Sequence, residues 1–139
     1  MNPWEFEDKI KMKEKFKEVI KKYFENLSKG NYKKLINLFS ERAIVYSPLY
    51  GKKEATGFYK ELIEDSNESS KVELIESFVN KDILTGAGNF KYSWTLKNGK
   101  NCSFEGVDLF KFNKDGKIVQ VKIIYDTSCI RNDFEKMKK

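Results

Sequence analysis

Apolar and polar residues alternate with period two from Phe90 onward, where Phe90, Tyr92, Trp94 and Leu96 stand against Lys91, Ser93, Thr95 and Lys97. Such a strand has one apolar and one wet face. The alternation resumes after Asn98-Gly99, with Phe104, Gly106, Asp108, Phe110 and Phe112 on one face, and again at 118–125, where Val119, Val121, Ile123 and Tyr125 oppose Gln120 and Lys122. Asn98-Gly99 predicts a type I′ hairpin turn, whose two central residues both need positive φ. The loop Asn113-Lys114-Asp115-Gly116 offers Gly where a left-handed residue is wanted. Residues 72–79 predict a further strand paired with 83–96 across Asn80-Lys81-Asp82, and Gly86 and Gly88 predict a bulge or bend inside it. Ala43 to Ser47 is a short β-branched run ended by Pro48.

Before these strands the period is helical. Ile10, Phe16, Val19, Ile20, Tyr23, Phe24 and Leu27 make one stripe, opened by Asn2, Pro3 and Glu5 and stopped by Gly30. Asn31 can cap a short second helix that turns Leu35, Ile36, Leu38 and Phe39 inward. Residues 51–65 predict a third helix with Ala55, Phe58, Tyr59, Leu62 and Ile63 inside, while 67–70 is a polar loop and 127–139 a weak helix or frayed tail. Helices followed by antiparallel strands define an α+β class. The expectation is one domain over 1–139, with its core at about 4–126: a cone-shaped, curved antiparallel sheet wrapped around three N-terminal helices, leaving an internal pocket.

Composition narrows the function. With 139 residues, 40% hydrophobic and 35% charged, the chain can bury a core without staples. Its net charge of +6 comes from 27 basic and 21 acidic residues that are well mixed, so no nucleic-acid partner is expected. There is no histidine and no CxxC, which argues against a metal site, a cofactor held by such ligands, and any histidine-based triad. No window approaches membrane-spanning length, and a cytoplasmic protein with Cys102 and Cys129 as reduced thiols is the default. The residue that stands out is Asp108, a carboxyl on an aromatic face. A buried carboxyl there has its pKa raised by desolvation.

The ordered set of residues resembles a family. A tyrosine helix at Tyr23, then Gly30, Leu35 to Phe39, Arg42-Ala43-Ile44-Val45, Pro48, Gly51, Phe58-Tyr59, and Asn98-Gly99 through Asp108 to Gly116 resemble the nuclear transport factor two-like superfamily, in its ketosteroid isomerase and SnoaL-like branches. That resemblance implies that Tyr23 is an oxyanion-hole tyrosine, Asp108 its protonated partner, and Tyr59 the tyrosine supporting Tyr23. It places Ser47 where the isomerase has its proton-shuttling aspartate. A neutral serine cannot serve as that base. Glu54, Asp65 and Asp126 are the other carboxylates, and Asp126 reaches the pocket only if the last strand bends at its end. Trp94, Tyr92, Phe104 and Phe110 are expected to line the ligand site with Tyr59 and Ser47. The implied ligand is a small hydrophobic ketone- or polyketide-like molecule. The readings open at this point are a binding protein, an isomerase- or lyase-type enzyme using Asp126 or a water as base, and a dimeric interaction module. A homodimer through the outer sheet face is expected from Ile75, Val107 and Leu109.

Overall fold

Pro3 and Gly30 bracket the first element of the computed structural model, which describes residues 2–139. Helix α1 (Pro3–Lys29) ends because Gly30 takes φ 65° and donates its N–H back to Leu27, a left-handed cap that glycine adopts without strain. Its buried residues, Phe16, Ile20, Tyr23 and Phe24, are those of the predicted stripe. Asn31 caps α2 (Tyr32–Ile36) by accepting from the Lys34 N–H at 3.1 Å. That helix is shorter than predicted, because Phe39 already begins β1 (Phe39–Ser47) by pairing with Ile118. After a turn comes β2 (Gly51–Glu54), so α3 (Ala55–Asp65) starts four residues later than its apolar pattern suggests. The polar run Lys52-Lys53-Glu54 carries no periodicity from which an edge strand could be read.

Strands β3 (Lys71–Asn80), β4 (Thr85–Thr95), β5 (Asn101–Phe112) and β6 (Ile118–Tyr125) complete a six-stranded sheet of order β2-β1-β6-β5-β4-β3. It is a curved, open sheet with the N-terminal helices on its concave side. One pairing departs from the expectation: β1 runs parallel to β6, while the other neighbours are antiparallel. The β4–β5 turn also differs. Of Asn98 and Gly99 only the glycine has positive φ, at 90°, and Leu96 closes the loop on Lys100, so this is a three-residue turn with a left-handed glycine rather than type I′.

Gly86 and Gly88 do not bulge β4, whose register with β5 is unbroken. The irregularity lies on β3, between Leu74 and Glu76. The glycines make room instead: a Cβ on Gly88 would stand 2.6 Å from the Phe24 ring. Absence of a side chain there is what lets α1 lie down in the sheet.

Two further expectations are corrected at the C-terminus. Residues 127–139 are not a frayed tail: helix α4 (Arg131–Lys138) packs on the domain, with Ile130 fully buried and Phe134 nearly so. Cys102 and Cys129 are joined as a disulfide, Cα to Cα 5.9 Å, rather than standing as free thiols. Their separation in sequence hid the pairing, since only the return of the chain to β5 brings Cys129 to Cys102. Among the described residues no helix is long and apolar enough to cross a membrane.

Candidate functional site

Period two along β5 turns Asp108 inward, and the register sets it between Gly88 on β4 and Ile123 on β6. Its side chain is 2% exposed. Among the described residues, Asp108 Oδ1 is the buried side-chain oxygen or nitrogen that has no hydrogen-bond partner. An orphaned buried oxygen costs about 1–3 kcal/mol, so its presence asks for an occupant. Burial pushes the Asp108 carboxyl up to about 8, and a hydrogen bond offered by Tyr23 offsets only part of that rise. The carboxyl is therefore protonated at neutral pH and presents an O–H.

Asp108 lines a small cavity of about 40 Å³. Phe24 and Tyr23 of α1, Phe58 of α3, and Tyr92, Trp94 and Phe104 of the sheet contribute its wall, together with Ser47, Tyr50 and Tyr125. Among the described residues no lysine or arginine lines it, so no positive charge there favours an ionised Asp108. Tyr23 is completely buried, and its hydroxyl is 2.6 Å from that of Tyr59. Burial first, and then the neighbouring Tyr59 and Asp108, raise Tyr23 well above the ordinary phenol range. Tyr92 and Tyr125 are likewise pushed up, chiefly by burial. At neutral pH all of these phenols keep their protons.

The structure thus brings Asp108, Tyr23, Ser47, Trp94, Tyr92 and Phe104 to one cavity. Tyr59 and Phe110 stand behind its wall. Tyr59 bonds to Tyr23, and the Phe110 ring packs edge-on against Tyr23 at 5.1 Å between centroids. Asp126 is a correction: β6 ends at Tyr125, and Asp126 is exposed outside the cavity wall, its carboxylate accepting from the Ser128 N–H at 2.9 Å. That bond holds its pKa below the usual carboxylate value. Glu54 is exposed, and Asp65 is buried behind Tyr50, to which it bonds at 2.8 Å. Ser47 Oγ accepts from the backbone N–H groups of Leu49 and Tyr50, at 3.3 and 3.2 Å. Among the described residues no ionised base lines the cavity. Among the described residues no three His, Cys, Asp or Glu side chains form a metal-holding group.

Sequence reasoning missed Tyr125 and Tyr50. Tyr125 was within reach, since it shares the inner face of β6 with Ile123 and its ring stacks on Phe104 at 4.3 Å. Tyr50 was not, because it sits in a turn without periodicity.

An open sheet folded around helices, with one neutral carboxyl and two tyrosines at the back of an aromatic cavity, defines a class of small pocket-forming α+β domains. Residues 20–121 match the SnoaL-like domain, and the chain belongs to that family. No curated protein matches the sequence. Three solved structures illustrate the similarity of fold. The epoxide hydrolase/cyclase-like enzyme SalBIII, with a role in pyran ring formation in polyether salinomycin, superposes with TM-score 0.71 at 20% identity, over 84% of this chain and 94% of its own. PrhC from Penicillium brasilianum gives TM-score 0.75 at 15% identity, over 91% and 90%. An NTF2-like protein of unknown function from an Exiguobacterium species gives 0.65 at 18%, over 78% and 98%. At such identities what is shared is the fold.

Proposed function

We propose that this protein binds a small, largely apolar ketone- or polyketide-like molecule, whose oxygen accepts a hydrogen bond from protonated Asp108. One observation carries the reading: a carboxyl with an unpartnered, buried oxygen lines an aromatic cavity whose described wall has no lysine or arginine. A neutral acid at such a place donates to a carbonyl and strengthens the bond as charge develops on that oxygen. Tyr23, backed by Tyr59, is the second group beside it. That a neighbour of the same fold is described as an epoxide hydrolase/cyclase-like enzyme supports an oxygenated apolar ligand. Ser47 leaves the family's base position neutral, which favours binding over proton transfer between carbons. The protein works as a homodimer through the outer sheet face, with no metal or cofactor.

The cavity as it stands is far smaller than the ~300 Å³ at which drug-sized ligand sites begin, so the first probes are small. Acetophenone and 2-acetylnaphthalene, titrated against labelled protein by NMR, are expected to shift amides around Asp108, Ser47 and Tyr125. Asp108→Leu, which keeps the volume and removes the donor, should weaken that binding about tenfold, as expected for a buried hydrogen bond to a carbonyl. Binding that is indifferent to Asp108→Leu, or absent for both ketones, refutes the reading.

A further inference from the structure

The polar groups of the cavity wall are not equivalent once each proton is accounted for. Asp108 is protonated and donates. Ser47 Oγ already accepts two backbone N–H groups, so its own O–H remains to donate. Trp94 has given its indole N–H to Ser66 Oγ at 2.8 Å. Tyr92 and Tyr125 have hydroxyls that rotate and so either donate or accept. Tyr50 differs from all of these. Its O–H is committed to Asp65 Oδ2 at 2.8 Å, and a carboxylate has no proton to give in return.

Asp65 is well held in that role. It ends α3 and is 2% exposed. Lys138 of α4 reaches Oδ2 at 2.9 Å and Lys97 of the β4–β5 turn reaches Oδ1 at 3.5 Å. The Lys97 backbone N–H also donates to the Asp65 carbonyl. A buried carboxylate persists only when compensated in this way. Three donors from three separate elements therefore converge on it, and one of them is a residue of the cavity wall. A hydrogen bond to a carboxylate polarises the phenol and makes its oxygen a better acceptor.

We propose that Tyr50, oriented by Asp65, is the hydrogen-bond acceptor of the cavity, so that the ligand carries a hydroxyl for Tyr50 as well as an acceptor oxygen for Asp108. The preferred chemical class is a hydroxy-ketone rather than a plain ketone. This rests on the binding role proposed above and names which ligands that site selects. Tyr50 touches the ligand, and Asp65 is a positioning residue that acts through it.

The test compares acetophenone and 2-acetylnaphthalene with their ring-hydroxylated isomers, by the same NMR titration. At least one hydroxylated isomer is expected to bind about three- to tenfold more tightly than its parent, the range of a single net hydrogen bond. Tyr50→Phe should erase that gain, so that hydroxylated and parent probes bind the variant with equal affinity. Asp65→Asn can donate its amide N–H to Tyr50, which frees the phenol proton to point the other way, so it too should erase the gain. A tie that was only structural would lower stability in both variants without changing the ratio between hydroxylated and parent probes. Absence of any gain in the unmodified protein, or a gain that survives in Tyr50→Phe, overturns the proposal while leaving the Asp108 reading intact. Failure of every probe to bind removes both.

Discussion

Asp108 shows how far a single residue could be read, and it makes a prediction of its own. Strict alternation along β5 was enough to turn it inward, and the aromatic neighbours on that face were enough to raise its pKa. What alternation could not supply was the absence of a partner, which depends on α1 setting Tyr23 toward Tyr59. Tyr50 and Asp65 were less legible still: a turn residue and a helix-end residue meet only because α3 folds back beside that turn. The consequence for Asp108 is a pH-dependent stability. Its folded pKa of about 8 lies above the ordinary carboxyl value of 3.8. Below that lower value both states are protonated, and the neutral buried form adds no penalty. Between the two values the unfolded chain has released this proton and the folded chain keeps it, so stability falls as pH rises, at up to ~1.4 kcal/mol per unit. In urea unfolding at about pH 5 and about pH 7.5, Asp108→Asn is expected to lack this loss, diverging from the unmodified protein by roughly 2–3 kcal/mol over that interval. Parallel pH profiles would show instead that Asp108 is ionised in the fold.

At the scale of elements, apolar periodicity marked α1, α3 and the strands from β3 to β6, because each buries one face against the core. It failed for β2, whose residues are polar and pair only at an edge, and for the C-terminal segment. Residues 130–138 have just Ile130, Phe134 and Met137 as apolar anchors among charges, too sparse a stripe to separate from a tail. Packing supplies what the pattern lacked. Phe134 wedges its ring against Tyr50 at 5.0 Å and Trp94 at 6.2 Å, two residues of the cavity wall. Lys138 closes on Asp65 and on Glu61 at 2.8 Å, while the disulfide to Cys102 holds the segment just before the helix. Helix α4 is thus a strap fastened at both ends over the wall of a cavity with little free space. The disulfide spans 27 residues of chain, for which the chain-entropy account gives about 3.5 kcal/mol of stabilisation. Reduction, or Cys129→Ser, should lower unfolding stability by about that much and speed amide hydrogen exchange across residues 130–138 before β4 and β5 are affected. Unchanged exchange in α4 after reduction would mean that Phe134 and Lys138 hold the strap unaided. The disulfide also removes the ground on which a cytoplasmic location was expected, since that expectation rested on unpaired thiols.

For the whole molecule, the face of the sheet turned away from the helices remains uncovered in one chain. The register lines up Phe78, Ala87, Leu109 and Lys122 across four strands, with Glu76, Asn89, Val107 and Ile124 in the adjoining row. Phe78 is 56% exposed, Leu109 40% and Ile124 45%. Isolated exposed apolar residues need no explanation, but several across adjacent strands form a patch of the kind that marks an interface. Glu76 and Lys122 border it with opposite charges, so a second copy of the same face meets it without excess charge of one sign. An isologous pair buries the patch symmetrically and closes on itself, whereas a head-to-tail contact would continue into a fibre. The expected species is therefore a dimer of twice the 16.4 kDa chain mass, formed face to face and leaving both cavities on the far side of their sheets. Leu109→Glu puts a charge at the centre of each face, twice per dimer. Burying unpaired like charges there costs several kcal/mol, enough to shift sedimentation velocity at tens of micromolar from dimer to monomer. The inner face is untouched by this change, so acetophenone binding should be the same in the variant. A protein already monomeric at that concentration would leave this apolar face without the partner assigned to it, and a Leu109→Glu variant that stays dimeric would move the interface elsewhere.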